Sequence, residues 1–325
     1  MIMTRRTVLG LLPALAWAGA ARAEGAIRIG TLRFGSLAWE LDVMRQHGLV
    51  EGFAIEATEF ASGPASQVAL QAGTVDVVLQ DWIWTSRLRS EGAPWTFSPA
   101  SAGLGAVMVP AGSAIASVGD LKGKRLGVAG GPLDKSWLLL RLYARKTLQL
   151  ELDSAVEKSF GPPPLVSAQL EAGRLDAVLT YWPFAARAEA QGRHSVLDVA
   201  DTLVALGVPK GMPMLGFVFS DAWAGRNRAA LMGFLAASRK ARAILGSSGA
   251  TSDAEWVRIA PLTGARDAAE VTHLRDWYRR GVVGLDDADF RAAASGLYAQ
   301  FASIGGADLV GPSPVLAPGT FWPSV

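Results

Sequence analysis

Residues 67–84, QVALQAGTVDVVLQDWIW, recur as residues 167–184, SAQLEAGRLDAVLTYWPF. Leu70 and Leu170, Ala72 and Ala172, Gly73 and Gly173, Asp76 and Asp176, Val78 and Val178, Leu79 and Leu179, and Trp82 and Trp182 share one offset of about 100 residues. A match of that length implies that whatever surrounds the phrase is built twice. In each copy the phrase reads as the end of a helix, a glycine where a left-handed backbone costs little, an aspartate entering a strand, and a short buried strand. Most of it is therefore scaffold, Asp76 and Asp176 included.

The flanking sequence repeats in the same order. In the first copy, Ile27 to Phe34 reads as a strand, Leu37, Leu41 and Met44 lie on one helix that Gly48 stops, and Phe53 to Phe60 alternates as a second strand. Ser62-Gly63-Pro64 then opens the helix through Gln71, and Val75 to Leu79 is the third strand. In the second copy, Lys124 to Ala129 is a strand, Gly130-Gly131-Pro132 a turn, and Asp134 to Leu148 a helix with Trp137, Leu140, Ala144 and Leu148 on one face. Val156 to Phe160, a helix ending at Ala172, and Asp176 to Leu179 complete it. Two βαβαβ units too long for solenoid repeats imply two lobes, each a largely parallel sheet covered by helices. One doubly wound sheet holding both copies is the other arrangement open to such a chain.

Leu104 to Pro110 (LGAVMVP) and Leu215 to Ser220 (LGFVFS) flank the second unit, and as apolar β-type segments they suggest a two-stranded hinge. Beyond them the chain is helical. Leu231, Phe234, Leu235, Ser238 and Leu245 share one face, as do Phe290, Ala294, Leu297 and Phe301. The proline-rich tail from Gly311 is expected to lie extended over the surface. A length of 325 residues, half of them hydrophobic and 18% charged, suits two compact domains rather than a disordered chain.

At the N-terminus, Thr4-Arg5-Arg6 precedes an apolar run from Val8 to Ala20 and then Ala21-Arg22-Ala23. A positive segment, an apolar segment too short to span a bilayer and a small-x-small cleavage site describe a secretory signal peptide, residues 1–23. The paired arginines suit either the twin-arginine or the general export route. No later stretch is long and apolar enough to span a membrane, and the absence of cysteine leaves neither a lipid-anchor cysteine nor a disulfide framework. Without Arg5, Arg6 and Arg22, the 31 basic residues become 28 against 29 acidic ones, so the basic whole-chain balance carries no expectation of nucleic acid.

The signal peptide, the duplicated L-x-A-G-x-x-D-x-V-L phrase, the segment DLKGKRLGVAGG at residues 120–131 and the helical C-terminal third together resemble periplasmic substrate-binding proteins of ABC importers, of the nitrate, sulfonate and taurine type. That resemblance implies an α/β, two-lobed, type II-like Venus-flytrap fold. Residues 24–105 and 217–325 would form one lobe, including the C-terminal helices, and residues 106–216 the other with the hinge segments. It further implies a periplasmic monomer that closes around a small-molecule ligand and delivers it to an ABC permease, with no cofactor. A receptor feeding a sensor or redox pathway, or an enzyme on the same fold like the thiamin-pyrimidine synthases, are the other roles compatible with the resemblance.

Open α/β sheets bind ligands beyond the carboxyl ends of their strands. That rule selects Gln80, Asp81 and Trp82 on one lobe and Thr180, Tyr181 and Trp182 on the other, with the two tryptophans as opposing walls. It also selects Arg33, Phe34 and Ser36 after the first strand, and Gly130, Gly131, Lys135 and Ser136 after the first strand of the second copy. Arg33, Lys135 and helix N-termini favour an organic anion such as a sulfonate or carboxylate, while the aromatic residues and Asp81 suit an aromatic, alkyl or amine-bearing group. An amphoteric or aromatic anion satisfies both. GDLKGKR at residues 119–125 lacks the spacing and hydroxyl of a phosphate loop, and His47, His194 and His273 are isolated, with no zinc-binding pattern. No G-x-S-x-G elbow or other catalytic constellation is present.

Overall fold

The computed structural model describes residues 26–209, 211–282 and 287–323. The expected signal peptide lies outside them. The first copy is β1 (Ala26–Leu32), α1 (Leu37–Gln46), β2 (Ala54–Phe60), α2 (Gly63–Gln71), β3 (Val77–Asp81), α3 (Trp82–Ser90) and β4 (Trp95–Ser101). The second contains β5 (Gly105–Val109), β6 (Arg125–Ala129), α4 (Lys135–Leu148), α5 (Leu152–Ala155), β7 (Glu157–Gly161), α6 (Pro163–Glu171), β8 (Ala177–Tyr181), α7 (Trp182–Ala190), β9 (His194–Asp198) and α8 (Val199–Ala205). After β10 (Leu215–Ser220) come α9 (Asp221–Arg226), α10 (Arg228–Gly246), α11 (Ala250–Thr263), α12 (Ala268–Arg280) and α13 (Asp287–Val310).

Two five-stranded sheets result, ordered β2-β1-β3-β10-β4 and β7-β6-β8-β5-β9. The duplicated strands β3 and β8 lie in different sheets, so the single-sheet arrangement does not occur. Each sheet has a parallel trio and one strand, β10 or β5, that runs antiparallel to both of its neighbours. The segments expected to form a paired hinge are these two strands, buried in separate sheets and not paired with each other. They differ from the expectation because an apolar strand gains more by filling a sheet on both edges than by lying in the open between lobes.

The repeated phrase performs the same local work twice. Gly73 and Gly173 take positive φ angles of 70° and 68° just past α2 and α6. Asp76 accepts hydrogen bonds from the Arg28 backbone and guanidinium at the start of β1, and Asp176 does the same for Arg125 at the start of β6. These clamps hold the third strand of each trio in register with the first. The close approach of the antiparallel strand is also duplicated: a Cβ on Gly105 would meet the Thr180 carbonyl, and one on Gly216 the Ser98 carbonyl.

The expected apolar faces are buried, with Leu231, Phe234, Leu235, Ser238 and Leu245 inside α10, and Phe290, Ala294, Leu297 and Phe301 inside α13. Helix α10 lies on α1, whereas α12 packs on α7 of the second copy and α13 touches both α3 and α4. The C-terminal helices therefore brace both sheets. The tail is more than a surface strap: backbone hydrogen bonds flank Phe97, and Phe321 inserts beside Phe97, Phe290 and Trp82. Burying that ring outweighs the prolines' preference for an exposed extended chain.

Candidate functional site

Strands β3 and β8 each run one pair of residues further than their apolar patterns suggest, so Gln80, Asp81, Thr180 and Tyr181 are the last residues of strands rather than loops. Asp81 caps α3, its Oδ1 accepting from the Trp84 backbone N–H at 2.8 Å. Asp134 caps α4 in the same way, accepting from the Ser136 N–H at 2.9 Å through Oδ1, while its Oδ2 accepts from the Tyr181 hydroxyl at 2.9 Å. The Lys135 ammonium stands 5.7 Å from the centre of the Tyr181 ring, within cation–π range.

These groups come from both sheets and sense one another electrostatically. Burial raises the pKa of Asp81, Lys135 opposes the rise, and Asp134 adds to it. Burial also pushes the Tyr181 hydroxyl far up, with the Asp134 charge and hydrogen bond acting in the same direction. Gly130 is part of the assembly, since its φ of 94° and the Tyr181 hydroxyl 2.8 Å from where a Cβ would sit leave no place for a side chain. Gly131 accepts the Asp134 N–H through its carbonyl and shapes the turn. Ser136, in the first turn of α4, is buried, and its hydroxyl has no protein partner.

On the first sheet, Ser36 occupies the N-cap of α1 but makes no side-chain cap hydrogen bond. Phe34, half-buried, meets Phe184 of α7 edge to face with ring centres 5.7 Å apart, a direct contact across the two lobes. Arg33 does not join them. Its side chain is 75% exposed and lies 3.8 Å from Glu59 on the neighbouring strand, because β1 ends at Leu32 and the turn that follows turns Arg33 out to solvent.

The two tryptophans are not cleft walls. Trp82 is fully buried among Tyr298, Phe301 and Phe321, and Trp182 is 8% exposed and packs edge to face on Trp39 and Tyr278. Each is the first residue of a helix rather than the end of a strand, and helical geometry turns its ring away from the strand ends toward the bracing helices. Below Trp182, the Tyr278 hydroxyl donates to Glu40 at 3.0 Å, and burial raises the Glu40 pKa despite the Arg242 charge and this hydrogen bond.

Gln80 and Thr180 also have internal roles. The Gln80 amide donates to the Gly63 carbonyl and the Ser66 hydroxyl, tying the end of β3 to α2. Its shorter counterpart Thr180 leaves its hydroxyl unpartnered beside a cavity of about 180 Å³ between α6 and α7, which Phe184 and Arg187 also line. Sequence reasoning missed Asp134 and Phe184. The N-cap position of Asp134, directly before an amphipathic helix, was the available signal; nothing local marks Phe184.

Two sheets, each with a parallel trio and an inserted antiparallel strand, meeting at the carboxyl ends of the trios under shared C-terminal helices, define the class: a two-lobed periplasmic-binding-protein fold. The periplasmic aliphatic sulphonate binding protein SsuA from Escherichia coli superposes with a TM-score of 0.72 at 21% identity, covering 92% of this chain and 98% of that one. The alkanesulfonate-binding protein SsuA from Xanthomonas axonopodis pv. citri, bound to MOPS, superposes at 0.68 with 20% identity, covering 92% and 99%. The desulfurization enzyme DszB shares the fold more distantly, with a TM-score of 0.54, 16% identity and coverage of 85% and 92%. No curated protein matches the chain in sequence. A family model described as NMT1/THI5 like matches residues 51–245, and the chain belongs to that family.

Proposed function

We propose that this protein is a periplasmic solute-binding protein that encloses a small organic solute between its lobes and delivers it to an ABC permease. The observation that carries this reading is the direct contact of Phe34 on one sheet's side with Phe184 on the other's, together with the gathering of Asp134, Lys135 and Tyr181 at the strand ends of the second sheet. A solute bridging those groups binds the closed form more tightly than the open one and shifts the equilibrium between them. We assign one lobe to residues 24–105 and 217–325 and the other to 106–216; strand membership of the two sheets supports this division except that Gly105 begins a strand of the second sheet and Leu215 and Gly216 begin a strand of the first.

Structural relatives that bind sulfonates support the solute class, and their periplasmic location together with the signal-like pattern of residues 1–23 supports the compartment. We read the site as non-catalytic, although DszB shows that the fold also carries an enzyme. Each carboxylate at the strand ends already holds a helix N-terminus, and the chain contains no cysteine to act as a nucleophile. Intact mass spectrometry of protein isolated from its own host tests the whole reading. The expected result is a chain beginning at Glu24 that carries a non-covalent small molecule, released unchanged by denaturation. A chain that retains Met1, or a bound molecule that the protein converts into another compound, would overturn it.

A further inference from the structure

The two copies differ between the helices that precede and follow their third strands. In the first copy the Gln67 amide donates to the Gln80 side-chain carbonyl at 3.1 Å, and the Gln80 amide donates to the Ser66 hydroxyl at 3.0 Å and the Gly63 carbonyl at 3.2 Å. The repeat offset puts Ser167, Thr180, Val166 and Pro163 in the places of Gln67, Gln80, Ser66 and Gly63. Two long amides have become short hydroxyls and the serine a valine, so the network cannot form in the second copy. What stands there is the cavity of about 180 Å³ between α6 and α7, lined by both Ser167 and Thr180. Thr180 is 1% exposed, and its hydroxyl has no hydrogen-bond partner.

A buried hydroxyl that has lost water and gained no partner costs stability, and native chains keep such a group where something outside the chain satisfies it. The rest of the lining describes the occupant. Leu170, Val178, Phe184 and Ala188 are apolar. The charged side chains are already paired within the protein, Arg187 with Glu270 and the carbonyls of Thr263 and Gly264, and Arg193 with Glu171. From these observations we infer that the cavity between α6 and α7 is a second binding site, for a compact neutral molecule with an apolar body and one hydrogen-bonding group that meets the Thr180 hydroxyl. Its volume suits a single six-membered ring, since an apolar cavity of about 150 Å³ accommodates benzene. The site does not depend on the strand-end cleft being the solute site. Phe184 and Arg187, the side chains through which α7 reaches Phe34 and Glu270, both line it, so an occupant sits directly behind those contacts.

Calorimetric titration with phenol, toluene, benzoate and benzylammonium tests the inference. Phenol should bind at one site per chain, and toluene, whose methyl group replaces the hydroxyl, about 3- to 10-fold more weakly, the worth of one neutral hydrogen bond. The two ions should not bind. Thr180→Val keeps the shape of the side chain and removes the hydroxyl, so phenol should fall to the affinity of toluene while the melting temperature of the ligand-free protein does not drop. The triple variant Val166→Ser, Ser167→Gln, Thr180→Gln transfers the first copy's side chains into the second and should abolish binding of phenol and toluene alike. No phenol binding to the wild type would mean that the cavity holds water only, and overturns the inference. Equal affinity for phenol and toluene, affinity retained in Thr180→Val, phenol binding that survives the triple variant, or either ion binding as tightly as phenol overturns it too. Should the triple variant fail to fold, Thr180→Val decides alone, and every one of these outcomes leaves the solute-binding reading intact.

Discussion

Replacing Trp82 by alanine should destabilise the ligand-free protein rather than open or empty a binding wall. The indole is 0% exposed and lies within about 6.5 Å, centre to centre, of the rings of Tyr298, Phe301 and Phe321. Truncating a buried tryptophan removes its transfer free energy and leaves a cavity, a cost of about 3–5 kcal/mol. For a chain of this size each kcal/mol lowers the melting temperature by about 2–4 °C, so a fall of roughly 6–20 °C is expected. Trp82→Phe should cost less, since ring contacts survive and a buried N–H without a partner disappears. Trp182 belongs to a separate apolar cluster with Trp39 and Tyr278, so the losses in the double mutant should add within about 0.5 kcal/mol. Denaturant titration and calorimetric melts on the single and double variants give these values directly. A ligand-free Trp82→Ala protein that melts within about 2 °C of the wild type, but no longer binds solute, would refute the reasoning and restore the indole to the cleft.

The α7–α12 joint gives a pH-dependent prediction. Burial alone would raise the pKa of Glu270, but hydrogen bonds from Arg266 and Arg187 outweigh it and hold the carboxyl below its usual value. A depressed carboxylate stabilises the fold above its unfolded pKa and loses that contribution as pH falls through the folded one, so Glu270→Gln should flatten the loss of denaturant stability below about pH 4.5. Arg187→Ala leaves Glu270 without one of its two guanidinium partners and should cost about 3 kcal/mol in denaturant titration at pH 7; a cost below about 1 kcal/mol would mean that Arg266 alone suffices. Gly105→Ala drives a methyl group into the Thr180 carbonyl of the paired strand. Soluble expression at the wild-type level with unchanged circular dichroism would show that β5 does not hold this register.

The repeat made the two-lobed plan legible because a βαβαβ unit is a local pattern: apolar alternation, a left-handed glycine, an aspartate that returns to the first strand. Gly73, Gly173, Asp76 and Asp176 do in the structure what their spacing implies. The rule that ligands meet the carboxyl ends of parallel strands also led to Tyr181, Gly130 and Lys135, which the structure brings together. It failed at Trp82 and Trp182, one residue further on, where each chain has already turned into a helix.

Whether a side chain at such a boundary faces the cleft or the core depends on what packs behind it. For Trp82 those partners are Tyr298, Phe301 and Phe321, more than 200 residues away in sequence, and for Trp182 they include Trp39 and Tyr278. The placement of LGAVMVP and LGFVFS was undecided for the same reason, since an apolar strand carries its pairing potential along the chain but not the identity of the edge it will fill. Periodicity and turn chemistry act over a few residues, so the sequence by itself determined the strands and helices of the two βαβαβ units and their duplication. Long-range packing and the electrostatics of groups from different lobes exist only once the chain has closed on itself. The tertiary structure alone decided that the tryptophans are buried among distant rings, that Arg33 stands aside, and that Phe34 of one lobe meets Phe184 of the other.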